Sequence, residues 1–235
     1  MNEYDEEILH YFLEHQTQLF PEAVAESPEE AEEFLEDCMA VVCKNIKEVR
    51  DYFDDAGMDA IAVAVGPGSF TGIRIGVAAA KGLALALDKP AIGVSTLAAM
   101  ARNVAFADGL VVCAMDARRS QVYNATFSAE GGVLTRLTPD RAISLSELAE
   151  ELRGAERSIT LVGDGACLAH TCFTENGLPC RLAPPHLLLQ NAVSVALEAK
   201  ALASQGKMVS AQELAVFYLR PPQADMLKKK PVTIQ

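Results

Sequence analysis

The chain has 235 residues, half of them apolar and 22% charged, so a globular soluble protein of one large domain or two small ones is expected. Its net charge of −12 is divided unevenly: residues 1–59 hold 18 acids against 3 bases, which leaves a net +3 on the remainder. Neither part has a long basic stripe, and strong independent binding to nucleic acid is not expected.

Residues 1–7 are acidic where a signal peptide would be basic. The best membrane candidate, residues 77–94, is interrupted by Lys81, Asp88 and Lys89, so no span is expected. The six cysteines form no C-x-x-C pair and no zinc-ligand spacing, which leaves reduced thiols in the cytoplasm as the expectation.

In chain order, residues 6–20 carry Ile8, Tyr11, Phe12, His15 and Leu19 at helical spacing, and Pro21 stops the run. Ser27-Pro28-Glu29-Glu30 is a helix start, with a serine cap, a first-turn proline and acids near the positive dipole end. The helix it opens can continue to Asp55, and Gly57 ends it. Residues 60–65 then form an apolar run of strand length, followed by Gly66-Pro67-Gly68 and a helix to about Leu87. A second strand at 91–95 and a helix at 97–106 give the alternation of a parallel sheet. Beyond Asp108, strands are expected at 110–115, 121–127, 133–137 and 159–162, and helices at 144–152, 166–175 and 191–204. Val216 to Leu219 form a short apolar stretch, and the lysine-bearing tail is expected to be loose.

The informative stretch is Gly66-Pro67-Gly68-Ser69-Phe70-Thr71-Gly72-Ile73-Arg74-Ile75-Gly76. A glycine-rich turn between strand and helix commonly lets backbone N–H groups meet an anion. No lysine and hydroxyl follow the last glycine, as a Walker A loop requires. The spacing G-x-G-x-x-x-G misses the dinucleotide pattern, and Pro67-Gly68 before Ser69 misses the nucleophile elbow.

Within the helix, Phe70, Ile73, Val77, Ala80, Ala84 and Leu87 form a seam at alternating intervals of three and four. Beside it Gly68, Gly72, Gly76 and Ala80 make a ridge of very small residues, although a helical glycine costs about 1 kcal/mol relative to alanine. Spacing leaves two readings open: close packing against the chain's own sheet, or a helix-bundle interface with another subunit.

Residues 59–235 resemble the TsaB family, paralogues of the catalytic subunit TsaD. The matching segments are AIAVAVGPGSFTGIRIGVAAAKGLALALDKPAIGVSTLAAMA, AMDARRSQVYNATF and VFYLRPPQA, in that order. The resemblance implies an α/β, actin-like (ribonuclease-H-like) fold of two subdomains, residues 58–107 with 205–235 and residues 108–204. It also implies a non-catalytic subunit that pairs with TsaD. TsaD, with the ATPase TsaE, transfers threonylcarbamoyl to N6 of adenosine 37 in tRNA. On that mapping Phe70, Ile73, Arg74 and Val77 are the interface candidates, and the motif glycines permit the turn and close helix approach. The same helix could self-pair into a homodimer, and tRNA is met only through the complex. TsaD-type metal sites use an H-x-x-x-H helix, whereas His170 and His186 are isolated, so no metal site is expected.

The family ordinarily opens with a strand ending in an Asp-Thr-Ser turn and two further strands, and residues 1–57 show an acidic helical segment instead. This predicts an unpaired edge on the strand at 60–65, and no cofactor, since the turn that serves ATP or ADP in the superfamily is missing. The alternatives are an actin-like-fold acyltransferase or nucleotide hydrolase, or a defective fused remnant.

Overall fold

The computed structural model describes residues 57–118 and 120–219. The chain divides into two units, Met1–Met58 and Asp59–Gln235, and the fold below is that of the second. The expected helices of residues 1–56 lie outside the described residues.

The first sheet pairs β1 (Ile61–Gly66) with β2 (Ala91–Ser95) in parallel, from Ile61 against Ala91 to Gly66 against Ser95. The crossover between them is α1 (Phe70–Ala86), capped by the Ser69 hydroxyl accepting from the Gly72 N–H. Strand alternation sorts the two faces. Ile61, Val63 and Val65 pack toward α1 with Val77, Ala80 and Ala84, whereas Ala60 and Ala62 join Ile92, Val94 and Ala199 on the other side. Among the described residues β1 pairs with β2 alone.

Ser95 closes β2 and caps α2 (Thr96–Arg102) through the Ala98 N–H, so strand passes to helix without a loop. Thr96 to Ala101 are all buried, as a helix enclosed on every side requires. Leu97, Met100 and Val104 meet Val111, Cys113 and Phe127 of the second sheet, so α2 is the wedge shared by both subdomains.

The second sheet has the order β5-β4-β3-β7-β8, with β6 also on β4. Its strands are β3 (Gly109–Asp116), β4 (Gln121–Glu130), β5 (Val133–Arg136), β6 (Arg141–Ser144), β7 (Ile159–Val162) and β8 (Arg181–Leu182). Val111 and Cys113 face α2, while Val112 and Ala114 face α3 (Leu145–Glu151) and α4 (Ala166–Glu175) across Leu148, Leu161 and Phe173. The long helix α5 (Ala192–Ala203) starts at an Asn191–Ser194 capping box.

Three placements differ from the sequence reading. The second helix ends at Arg102 rather than Phe106, because residues 103–107 continue as hydrogen-bonded turns. Residues 141–144 pair with β4 before the serine cap starts α3, a strand of mixed polar and apolar residues that runs straight into that cap. Finally, Val195, Ala199, Leu202 and Ala203 of α5 pack on the first sheet, so α5 belongs with the first subdomain rather than with residues 108–204.

Candidate docking surface

The site begins at the turn between β1 and α1. Gly66 has φ +130°, and a Cβ there would collide with the carbonyl oxygen of Phe217. The chain thus returns against the turn, and the Phe217 N–H donates to the Val65 carbonyl at 2.9 Å. Pro67 is buried behind it, joined to Gly66 by a cis peptide bond. A Cβ on Gly68 would stand 3.0 Å from the Ile73 side chain, so this glycine also answers to the chain's own packing. Ser69 is the cap, and Thr71 is exposed.

The seam of α1 faces inward. Val77 is only 4% exposed, Ala80, Ala84 and Leu87 are buried, and Ile73 is half-buried against the same core. Val77, an interface candidate on the family mapping, is part of the subdomain core, because helix-on-sheet packing claims the seam. Phe70 and Arg74 remain exposed on the flank. Gly76 faces Val63, where a Cβ would make ordinary contact at 3.8 Å.

The opposite face of α1 is apolar and open. Ile75 is 65% exposed, Leu83 41% and Leu85 47%, with Ala78, Ala79 and Gly82 exposed between them. Nothing lies within 4 Å of a Cβ built on Gly82, and one on Gly72 would touch only Ser69. Packing among the described residues therefore does not require these two glycines, in contrast to Gly66 and Gly68. The helix contains no acid, and its only charged residues are Arg74 and Lys81. The Lys81 ammonium donates to the Gln212 carbonyl at 3.0 Å.

Sequence reasoning placed Arg74 near the interface but missed its partner. Arg74 Nε donates to the Tyr218 hydroxyl at 2.6 Å, across 144 positions of sequence. The Phe70 and Tyr218 rings stack with centroids 5.3 Å apart, and the guanidinium lies 3.8 Å from the Phe70 centroid. Spacing could not show this, but the order Phe-Tyr-Leu after a long loop marks a segment with somewhere apolar to go. The outer stripe was legible in principle, since Gly72, Ile75, Ala79, Gly82 and Ala86 repeat at three and four as the inner seam does.

Asp116-Ala117-Arg118, within the second segment that resembles the family, is a hairpin turn. Asp116 accepts from the Arg118 N–H at 2.7 Å, and Asp164 accepts from the Asp116 N–H at 3.0 Å. The titrating groups with displaced ionisation have structural causes. Burial pushes the Cys113 and Cys180 thiols up, and hydrogen bonds from Ser144 and Ser210 hold Glu147 and Glu213 below the usual carboxylate range. Among the described residues no three His, Cys, Asp or Glu side chains gather as a metal site, and no helix is long and apolar enough to cross a membrane.

Residues 7–207 match the family described as TsaD, tRNA N6-adenosine threonylcarbamoyltransferase. The chain is 33% identical over 166 residues to the tRNA threonylcarbamoyladenosine biosynthesis protein TsaB of Escherichia coli, covering 69% of this chain and 71% of that one. The TsaB protein of Haemophilus influenzae is 35% identical over 175 residues, covering 69% and 70%. That of Bacillus subtilis is 42% identical over 108 residues, and the chain spans about half its length (47%). Among solved structures, YeaZ from Pseudomonas aeruginosa superposes with a TM-score of 0.60 at 28% identity, covering 73% of this chain and 80% of that one. With two such relatives matched over more than two thirds of their length, the chain belongs to the TsaB family of tRNA threonylcarbamoyladenosine biosynthesis proteins, on an actin-like, ribonuclease-H-like fold.

Proposed function

We propose that this chain is a non-catalytic TsaB-like subunit that pairs with a TsaD-like catalytic subunit through the outer face of α1. In that role it supports threonylcarbamoyl transfer to N6 of adenosine 37 in tRNA, in the cytoplasm, and meets tRNA and a TsaE-like ATPase only within the complex. The observation that carries the reading is the open apolar face of α1, with Ile75, Leu83 and Leu85 exposed around glycines that packing among the described residues does not need.

Fully covering a large aliphatic side chain is worth about 1.5–3 kcal/mol, so a helix laid over three of them gains several kcal/mol. Small residues between them let the two backbones come near, which multiplies van der Waals contacts. A charge-free stripe removes the cost of desolvating ions at the centre of such an interface.

Reconstitution tests the assignment of roles. The chain alone is expected to transfer no threonylcarbamoyl to tRNA, and adding it to a TsaD-like subunit with its ATPase is expected to raise transfer. Transfer by this chain without the TsaD-like subunit would make it the enzyme and overturn the proposal.

A further inference from the structure

We propose that Arg74, held ready by Phe70 and Tyr218, is a carboxylate receptor at the edge of the docking face, and that the partner helix presents an acidic side chain to it. The inference rests on the α1 docking reading and adds the polar contact that fixes the partner's register.

Arginine offers five N–H donors in a planar fork, and here one of them is used. Nε donates to the Tyr218 hydroxyl at 2.6 Å, and the guanidinium lies over the Phe70 ring at 3.8 Å. The two terminal nitrogens make no hydrogen bond or ion pair among the described residues. A guanidinium stacked on an aromatic ring and fixed through Nε has already lost much of its rotamer freedom. The two terminal nitrogens of this exposed guanidinium match the geometry of a carboxylate.

Charge decides the occupant. The helix α1 has no acid, and its other cation, Lys81, is bonded to a backbone carbonyl. Arg74 therefore has no counterion on its own helix, and it immediately precedes Ile75, the most exposed large side chain of the docking face. A partner covering Ile75 also strips water from Arg74, and an unpaired cation at that edge would cost affinity unless the partner supplies an anion. The anion comes from a protein rather than from RNA, because the face it borders is an uncharged apolar stripe suited to a helix. Tyr218 acts through Arg74 and is a positioning residue. It belongs to the returning segment, which the Phe217 N–H ties to Val65, so the receptor is composite from distant parts of the chain.

The test is the affinity of the full chain for a TsaD-like subunit, measured at low and high salt. Wild-type pairing is expected to weaken as salt rises. Arg74→Met is expected to lower affinity about tenfold and to flatten the salt dependence, with unchanged thermal unfolding, from the loss of one charge-assisted pair. Arg74→Lys keeps the charge and loses the fork, so it recovers the salt dependence without the full affinity. Tyr218→Phe keeps the ring and removes the acceptor, for a loss of about threefold. Wild-type affinity and salt dependence in Arg74→Met, with Ile75→Glu still blocking pairing, would overturn the receptor and leave the docking reading standing. Unchanged pairing with weakened tRNA binding by the complex would assign Arg74 to a phosphate and overturn it equally. No pairing by the wild-type chain would overturn the reading beneath both.

Discussion

Gly66 and the capped glutamates show how single residues set this fold's tolerances. The backbone at Gly66 has φ +130°, and any side chain would meet the Phe217 carbonyl. Gly66→Ala is therefore expected to destabilise the chain by about 2 kcal/mol or more, combining a strained backbone with displacement of the returning segment. Denaturant unfolding measures it, and a shift below about 0.5 kcal/mol, the size of an ordinary surface change, would contradict the close approach. Glu147 closes a capping box with Ser144, and Glu213 receives the Ser210 N–H and hydroxyl. Both carboxyls titrate below the usual range, chiefly through the Ser144 side chain for the first and the Ser210 backbone for the second. A depressed folded value means the stabilisation is present above the unfolded glutamate value, about 4.3, and fades as pH falls through the lower folded one. Thermal midpoints are therefore expected to drop more steeply below about pH 4 for the wild type than for a Glu147→Gln, Glu213→Gln variant. Parallel curves would remove these caps from the account.

At the scale of elements, α1 has two apolar faces of different character. The inner one, through Val77, Ala80 and Ala84, is the partner of β1 and β2, and the outer one, through Ile75 and Gly82, is left open. Periodicity showed the inner seam clearly and left its neighbour open, since the interval pattern is the same for a sheet and for another helix. Only tertiary packing decides which stripe is covered. Gly82 separates the two demands on this helix. Gly82→Ala meets open space and is expected to stabilise the isolated chain by about 1 kcal/mol through helix propensity. Gly82→Leu is expected to leave folding intact and to weaken pairing more than tenfold, because a bulky side chain holds the partner backbone away. Equal pairing by the leucine variant would place the partner elsewhere on the surface.

Strands of the second sheet were legible where alternation or continuous apolar runs were long, as in β3 and β4. β6 escaped because Arg141 to Ser144 mixes polar and apolar residues and runs straight into the serine cap of α3, and β8 because two residues carry no period. The helix α5 was legible as a helix but not as a neighbour: its partners in the first sheet lie some 100 residues earlier, and only tertiary packing reveals them. The Arg74 to Tyr218 contact escaped for the same reason of distance along the chain.

Across the described fold, the two sheets are bound into one body by α2 and by polar ties around it. The Ser95 hydroxyl donates to Asp140 at 2.6 Å while Arg136 pairs with the same carboxylate, and Arg102 pairs with Glu198 of α5 at 2.6 Å. Asn103 donates to the carbonyls of Leu187 and Leu189, fastening the turn before α5. Such ties hold α1 in a fixed frame, so its outer face is presented as a preformed surface, which lowers the ordering cost of association. The central claim is that this surface receives a TsaD-like subunit, and the direct measurement is titration calorimetry of the full chain against that subunit, wild type beside Ile75→Glu. Ile75 points outward, so the substitution leaves the core intact, whereas Ile73 is packed inward and would report on folding instead. The account predicts saturable one-to-one binding by the wild type and loss of binding by the Ile75→Glu variant at an unchanged melting temperature. Equal binding by both proteins, or none by a folded wild type, would contradict it.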